Sequence, residues 1–359
     1  MSTIPVGLAR TVERLRHHVN RLHLRLAPAP MAMLELILAA WTSQAIQAAA
    51  QLGIADALAS GPLSSEELAH RVGADPEALR RLLRALTGRG IFRQDRHGRY
   101  ALNPLAETLR SDVPESMAAA AKYYGSPQHR EHWSLLVDSI RTGEASIPRL
   151  RGKEFFDYLE DEPELAQLFN ETMTSISGLS EEFVIAAYPF RSNSTIVDVG
   201  GGHGRLLVSV LAATPGARGV LYDLPQVVAN APALLEKARV ADRVRIEGGS
   251  FFEKVPAGGD LYLLKHIIHD WPDDKAVDIL RIVRAAVGPA SRILLVELVI
   301  PEHDRDFVGN WADLEMLLGG SARERSADEY RDLLRQSGFE VTRVIPTASP
   351  FSLVEAKAA

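Results

Sequence analysis

Ile196-Val197-Asp198-Val199-Gly200-Gly201-Gly202-His203-Gly204 reads as an apolar strand that runs into a glycine turn. From residue 195 onward, strand-like runs alternate with helical stretches. The runs are 196–199, 219–222, 244–246, 261–264 and 293–298, and two more follow near 339–345 and 351–356. Such alternation implies an α/β fold, a mainly parallel sheet with helices on both faces. The last two runs have no crossover helix between them, which predicts a final antiparallel edge strand.

Some sixty residues after the glycine turn stands Leu261-Tyr262-Leu263-Leu264-Lys265-His266-Ile267-Ile268-His269-Asp270-Trp271-Pro272-Asp273-Asp274. It is an apolar strand that ends in a burst of ionisable groups, and strand ends are where open α/β sheets bind ligands. Pro272, Asp273 and Asp274 mark the next helix start. His269 lies at the strand end, and histidine is well matched to taking a proton near neutral pH. A dinucleotide loop needs G-x-G-x-x-G. Here Arg205, or in the other register Leu207, stands in place of the third glycine. What remains is a turn that lets backbone approach a ligand at a helix start. Asp223 ends the second strand, about 20 residues on, where an acid can accept bonds from ribose hydroxyls. An adenosine ligand without a pyrophosphate fits these residues.

The chain has 359 residues, 46% hydrophobic and 24% charged, enough for two domains. A net charge of -6 argues against the basic footprint of a nucleic-acid binder. With no cysteine there are no disulfides, thiol nucleophiles or thiolate metal sites. Residues 31–50 are apolar but carry Glu35, Thr42, Ser43, Gln44 and Gln47, so they are expected to form a buried helix rather than a membrane span. Residues 33–52 are too apolar for one small helical domain to cover, which places them in a homodimer interface. The first 26 residues, with five Arg and three His, are expected to form a surface helix, and the protein is expected to be cytoplasmic with no membrane partner.

Ser64 with Glu67, a stop at Gly73, and Asp75-Pro76 delimit two helices, the second carrying Leu79, Leu82, Leu83 and Leu86 on one face. Two short strands follow at 90–94 and 98–102. Helix, turn, helix, hairpin is a winged-helix pattern. Arg80, Arg81, Arg84 and Arg89 would serve a DNA-binding module. An oligomerisation module is the reading favoured by the acidic chain. The segments divide as 1–110, a helical winged-helix domain; 111–190, a helical linker and pocket region with the aromatic series Phe155, Phe156, Tyr158 and Phe169; and 191–359, the α/β domain.

Val197-Asp198-Val199-Gly200-Gly201-Gly202-His203-Gly204, Tyr222-Asp223-Leu224-Pro225-Gln226-Val227, Gly249-Ser250-Phe251-Phe252 and Leu264-Lys265-His266-Ile267-Ile268-His269-Asp270-Trp271 occur in this order. In this the chain resembles the S-adenosylmethionine-dependent O-methyltransferases that include plant caffeate and flavonoid enzymes and bacterial polyketide-tailoring enzymes. The resemblance spans nearly the whole chain. It implies a Rossmann-like, mainly parallel seven-stranded sheet, an N-terminal winged-helix dimerisation domain and S-adenosyl-L-methionine as cofactor. It sets Gly200 and Gly202 at the methionine part, Asp223 and Leu224 at the ribose, and Ser250, Phe251 and Lys265 around the adenine. Ser250 departs from the family's usual Asp, and a hydroxyl bonds the adenine amine more weakly than a carboxylate.

The resemblance further implies His269 as general base, Glu297 and Glu324 as the carboxylates that support its imidazolium, and Asp270 near the acceptor oxygen. Phe169, Asn170, Met173, His266 and Met316 are expected around an aromatic small-molecule hydroxyl acceptor. His266 and His269 also form an H-x-x-H-D cluster, but no third ligand is evident, so no metal is expected. Two alternatives remain at this stage: a cofactor-binding relative that does not transfer methyl, such as a hydroxylase-like enzyme, and a winged-helix DNA-binding regulator.

Overall fold

The structure is a computed structural model that describes residues 5–359 apart from 115, 304 and 321. It divides into two compact units, one of residues 18–137 and 150–179, the other of 1–17, 138–149 and 180–359. The expected middle segment, 111–190, is therefore no unit of its own. Its residues are divided between the two units.

In the helical unit, α1 (Val6–Leu26), which begins in the other unit, is followed by α2 (Ala29–Gln51). Next come α3 (Ser65–Val72) and α4 (Pro76–Gly88). Ser64 accepts from the Glu67 N–H while Glu67 bonds back to Ser64, the capping box read from the sequence. Asp75 caps α4 through the Ala78 N–H at 2.8 Å, with Pro76 in its first turn. Leu79, Leu83 and Leu86 are buried against Ile54, Leu58 and Leu68. The wing is Arg93–Gln94 paired antiparallel with Tyr100–Ala101. Arg80 is engaged by Glu77.

The expectation that the 31–50 helix is buried within its own chain is corrected. Only Ala32, Ala49 and Ala50 of α2 are buried, and Leu34, Leu36, Ile37 and Trp41 face outward. Its core-facing residues are alanines, too small to shield the large side chains on the opposite faces. By length and hydropathy α2 could cross a membrane.

The second unit is built on seven strands: β1 (Thr195–Val199), β2 (Arg218–Asp223), β3 (Val244–Gly248), β4 (Leu261–Lys265), β5 (Arg292–Glu297), β6 (Phe339–Pro346) and β7 (Ser352–Ala358). Their order is β6-β7-β5-β4-β1-β2-β3, all running in one direction except β7, which is antiparallel to both of its neighbours. The final strand is antiparallel as expected, but it is not the edge. It inserts between β5 and β6, and β6 takes the edge. The composition agrees: Leu353, Val354 and Ala356 are buried on both faces, whereas Glu340, Thr342 and Arg343 of β6 are polar. One face of the sheet (Val197, Val220, Leu264, Leu295) packs against α7 (Asp273–Ala286) and α9 (Ala327–Gln336). The other (Ile196, Leu221, Leu263, Val296) packs against α6 (Arg205–Ala213). Between α7 and α9 in sequence lies α8 (Val308–Gly319). Both faces being covered leaves the carboxyl ends of the strands as the place for a ligand.

Candidate active site

The glycine turn leaves β1 with Gly200 at φ 68° and Gly202 at φ 60°, both left-handed. A Cβ on Gly200 would lie 2.4 Å from Ile267 Cδ1 and 3.5 Å from Phe251 Cε1. The turn thus packs against both neighbouring motifs. Three backbone donors of the turn are already used. The Gly200 and Gly201 N–H groups donate to the Tyr222 carbonyl, and the Gly202 N–H donates to Asp223 Oδ2 at 2.8 Å. Those three do not point at a phosphate, in agreement with a phosphate-free adenosine ligand. Asp223 Oδ1 accepts from the Leu224 N–H at 2.7 Å, and its carbonyl accepts from Gly249, which brings Ser250 and Phe251 beside it. The half-buried carboxylate at this strand end, with a glycine wall on one side and aromatic rings on the other, fits a nucleoside.

Lys265 departs from its expected place around the adenine. It ends β4, on the far side of β1 from β2 and β3, and its ammonium faces Glu181, Asp198 and Arg205. Burial lowers its pKa to about 8 against the pull of Glu181 and Asp198. Asp198 is buried, its Oδ2 has no partner among the described residues, and desolvation raises its pKa to about 7. Sequence reasoning quoted Asp198 but assigned it nothing.

After β4 the chain makes a single 3-10 turn, Ile268–Asp270, before α7. His269 is held there on both ring nitrogens: Nδ1 lies 2.8 Å from Glu324 Oε1 and Nε2 lies 3.3 Å from Asp270 Oδ1. Glu297, at the end of β5, is fully buried, and its Oε1 accepts from the Ile268 N–H at 3.0 Å. Glu324 is also buried, with its N–H donated to Asp313 Oδ1 at 2.8 Å. Glu297 Oε2, Glu324 Oε2 and the Tyr330 hydroxyl are buried with no hydrogen-bond partner among the described residues. Burial alone would depress the His269 pKa, but Asp270, Glu324 and Glu297 raise it to about 10. Desolvation raises Glu297 to about 8, with His269 opposing. Glu297 and Glu324, unremarkable acids in the sequence, are thus brought to one histidine by two different strand ends.

The expectation that no third metal ligand exists is corrected by the same geometry. Ligand atoms of His269, Glu297 and Glu324 lie within 4.8 Å of one another, because two carboxylates distant in sequence converge.

His266 has φ 55°, a left-handed conformation uncommon for a residue with a Cβ. Its N–H donates to the Val296 carbonyl, and its ring lies 4.6 Å from Phe351 and 5.1 Å from His269. Burial, with His269 and Lys265, lowers its pKa well below the usual value, so it stays neutral beside His269. Met316 is half-buried on α8 of the same unit. Phe169, Asn170 and Met173 belong to the helical unit. There Phe169 packs on Tyr123 and Phe155 in a small aromatic core, and Asn170 is exposed.

Sequence reasoning also missed Trp271, whose ring lies 4.7 Å from Phe252, and Arg325. Arg325 is wholly buried, and in the sequence only its neighbour Glu324 stood out.

Comparison with known proteins agrees with this geometry. Residues 133–340 match an O-methyltransferase domain family, and residues 34–112 match an O-methyltransferase dimerisation domain. A phenazine O-methyltransferase of Lysobacter antibioticus is 40% identical over 92% of this chain and 96% of its own. An O-demethylpuromycin-O-methyltransferase of Streptomyces alboniger is 41% identical over 88% and 85%. A solved O-methyltransferase from neocarzinostatin biosynthesis, bound to S-adenosylmethionine and 2-hydroxy-5-methyl naphthoic acid, superposes with a TM-score of 0.74. It is 33% identical and covers 89% of this chain and 96% of its own. More distant relatives include N-methyltransferases. A phosphate-free nucleoside cleft beside a carboxylate-flanked histidine, on a chain matched along most of its length, makes this protein a member of the S-adenosylmethionine-dependent O-methyltransferase family.

Proposed function

We propose that the protein methylates a hydroxyl of an aromatic small molecule, with His269 as general base. The observation that carries this reading is the buried Glu324–His269 pair at a strand end beside the cofactor cleft. Bound S-adenosylmethionine supplies a methyl group on a positively charged sulfonium, already activated for attack. His269 Nε2 would take the proton that the acceptor hydroxyl gives up as it is methylated. Asp270 and Glu324 then stabilise the imidazolium on its two sides. The raised His269 pKa of about 10 supports this role for a phenol, whose own pKa is about 10. Matched values make proton transfer nearly thermoneutral. The cost is that little His269 is neutral at pH 7, so turnover should climb with pH toward 10.

Named relatives that act on phenazine and naphthoate skeletons support a fused or substituted aromatic acceptor for this chain. The N-methyltransferases among them favour one second reading, a ring nitrogen as acceptor. Incubation with methyl-labelled cofactor and a panel of phenols, naphthoates and phenazines tests both. Label in an ether supports the proposal, and label only on nitrogen refutes it.

We also infer a homodimer closed through α2, supported by the dimerisation-domain match and by the outward Leu34, Leu36, Ile37 and Trp41. Metal-free chemistry is part of the reading. Its support is that Glu324 Oε1 and Glu297 Oε1 are engaged by His269 and the Ile268 N–H, while each carboxylate keeps a second, unpartnered oxygen.

A further inference from the structure

Arg325 is the largest wholly buried side chain of the described residues. A buried guanidinium has five N–H donors to satisfy and no way to shed its charge. Here the donors reach out along one short segment. Nη1 donates to the Ile268 carbonyl at 3.0 Å, and Nη2 donates to the Trp271 carbonyl at 2.7 Å. Nε and Nη2 both donate to Asp273 Oδ1, at 3.0 and 2.8 Å. Nη1 also reaches the Arg323 carbonyl at 3.3 Å. The contacted carbonyls bracket His269 and Asp270 from both sides. Arg325 itself is the residue after Glu324. It is pinned by pairing of Arg325–Ser326 with Val299–Ile300 and by the Ser326–Glu329 capping box that starts α9.

We propose that Arg325 is a positioning residue that clamps the 268–273 turn onto the 323–326 segment, and so sets the Glu324–His269 contact on which catalysis depends. Two features point to this role beyond mere burial. The backbone adds one matching tie, from the Arg323 N–H to the His269 carbonyl at 2.9 Å, so the two segments are laced on either side of the histidine. And among the described residues the only charged partner of the guanidinium, Asp273, is more than half exposed, so the charge is not buried for the sake of a buried ion pair. It gives the Trp271 carbonyl a donor just before the next helix, and adds a second donor to the Ile268 carbonyl, which also accepts from the Trp271 N–H at 3.4 Å.

The inference rests on His269 being the base, and a double-mutant cycle separates the two. Arg325→Lys, His269→Ala and the double variant are compared in methyl transfer from labelled S-adenosylmethionine to a phenolic acceptor, with cofactor affinity measured by calorimetry. Arg325→Lys keeps the charge but not the fork. It should lower kcat about 10²-fold, the scale of a catalytic group misplaced by about 1 Å, with cofactor affinity unchanged. The acid limb of its pH–rate profile should move to lower pH, because a loosened Glu324 contact supports the imidazolium less. In the His269→Ala background the same substitution should cost nothing further. Asp273→Asn, at an exposed position that does not threaten folding, should give a smaller loss and limb shift in the same direction. Equal losses from Arg325→Lys in both backgrounds, or an unmoved acid limb in both Arg325→Lys and Asp273→Asn, would overturn the clamp while leaving the base in place. A His269→Ala protein with parental turnover would overturn the base, and the clamp with it.

Discussion

Glu324→Gln isolates the charge of one carboxylate from its shape. Glu324 Oε1 lies 2.8 Å from His269 Nδ1, and the side chain is 1% exposed, so no solvent screens the pair. Gln can still accept the Nδ1–H bond, but it brings no negative charge to the imidazolium that forms as the acceptor loses its proton. Hydrogen bonds to charged groups contribute about 1.5–3 kcal/mol. At about 1.36 kcal/mol per decade, the rate on the alkaline plateau should fall roughly 10- to 150-fold. The His269 pKa should drop from about 10, because one of its three supporting carboxylates is gone while burial still pushes it down. The acid limb of the pH–rate profile should follow it to lower pH. At pH 7 the deficit should be smaller than on the plateau, since more of the variant's histidine is neutral there. Stability should show the same sign. A histidine with a raised folded pKa contributes stability that is complete below about 6.5 and is lost as pH rises through about 10. The melting-temperature deficit of Glu324→Gln should therefore be greatest near pH 6 and shrink toward pH 10. Stopped assays with labelled cofactor across this range, paired with calorimetric melts, give both curves. A variant with parental plateau rate and an unmoved limb would show that Glu324 does not support the base.

Asp223→Ala should weaken S-adenosylmethionine binding by about 1.5–3 kcal/mol in calorimetry, the scale of hydrogen bonds to a carboxylate, and unchanged affinity would remove Asp223 from the cleft. Gly200→Ala should lower the melting temperature, because the added Cβ meets Ile267 Cδ1 at 2.4 Å on a backbone at φ 68°; overpacking costs about 1–3 kcal/mol, and an unshifted melt would deny the close approach. Ile37→Glu with Trp41→Glu, both on the outward face of α2, should turn a dimer into a monomer in sedimentation at micromolar concentration. A parent that is already monomeric, or a double variant that stays dimeric, would exclude this face as the interface.

The parts of this protein that repeat along the chain were legible before any coordinates. All seven strands fall within a residue or two of their expected positions, because each is an apolar run bounded by turn residues. The Ser64 and Asp75 caps also read directly, because capping is a local matter of three or four residues. The order of the last two strands was not legible. A hairpin can add to a sheet edge or insert beside it, and the difference lies in burial on both faces of β7 rather than in any turn signal. The convergence of Glu297 and Glu324 on His269 came from family resemblance alone, since the two acids are 28 and 55 positions from the histidine in its own strand-to-helix joint. Arg325 was hidden by its type: an arginine in a polar run reads as surface, and only the fold shows it wholly buried. Lys265 was assigned by motif to the adenine, and strand order, which motifs do not carry, sets β1 between it and the strands that end in Asp223 and Gly248.

The central claim is that His269 takes the acceptor's proton, and the pH–rate profile of His269→Ala tests it most directly. The variant should bind S-adenosylmethionine with parental affinity in calorimetry, since Gly200, Gly202 and Asp223 are untouched. Its turnover on a phenol at pH 7 should be about 10²–10⁴-fold below the parent. Raising the pH toward 10 should increase the variant's own turnover as solvent ionises the phenol near its pKa of about 10. A folded His269→Ala protein that turns over at the parental rate at pH 7 would contradict the account, leaving proximity to the sulfonium methyl as the whole of the catalysis.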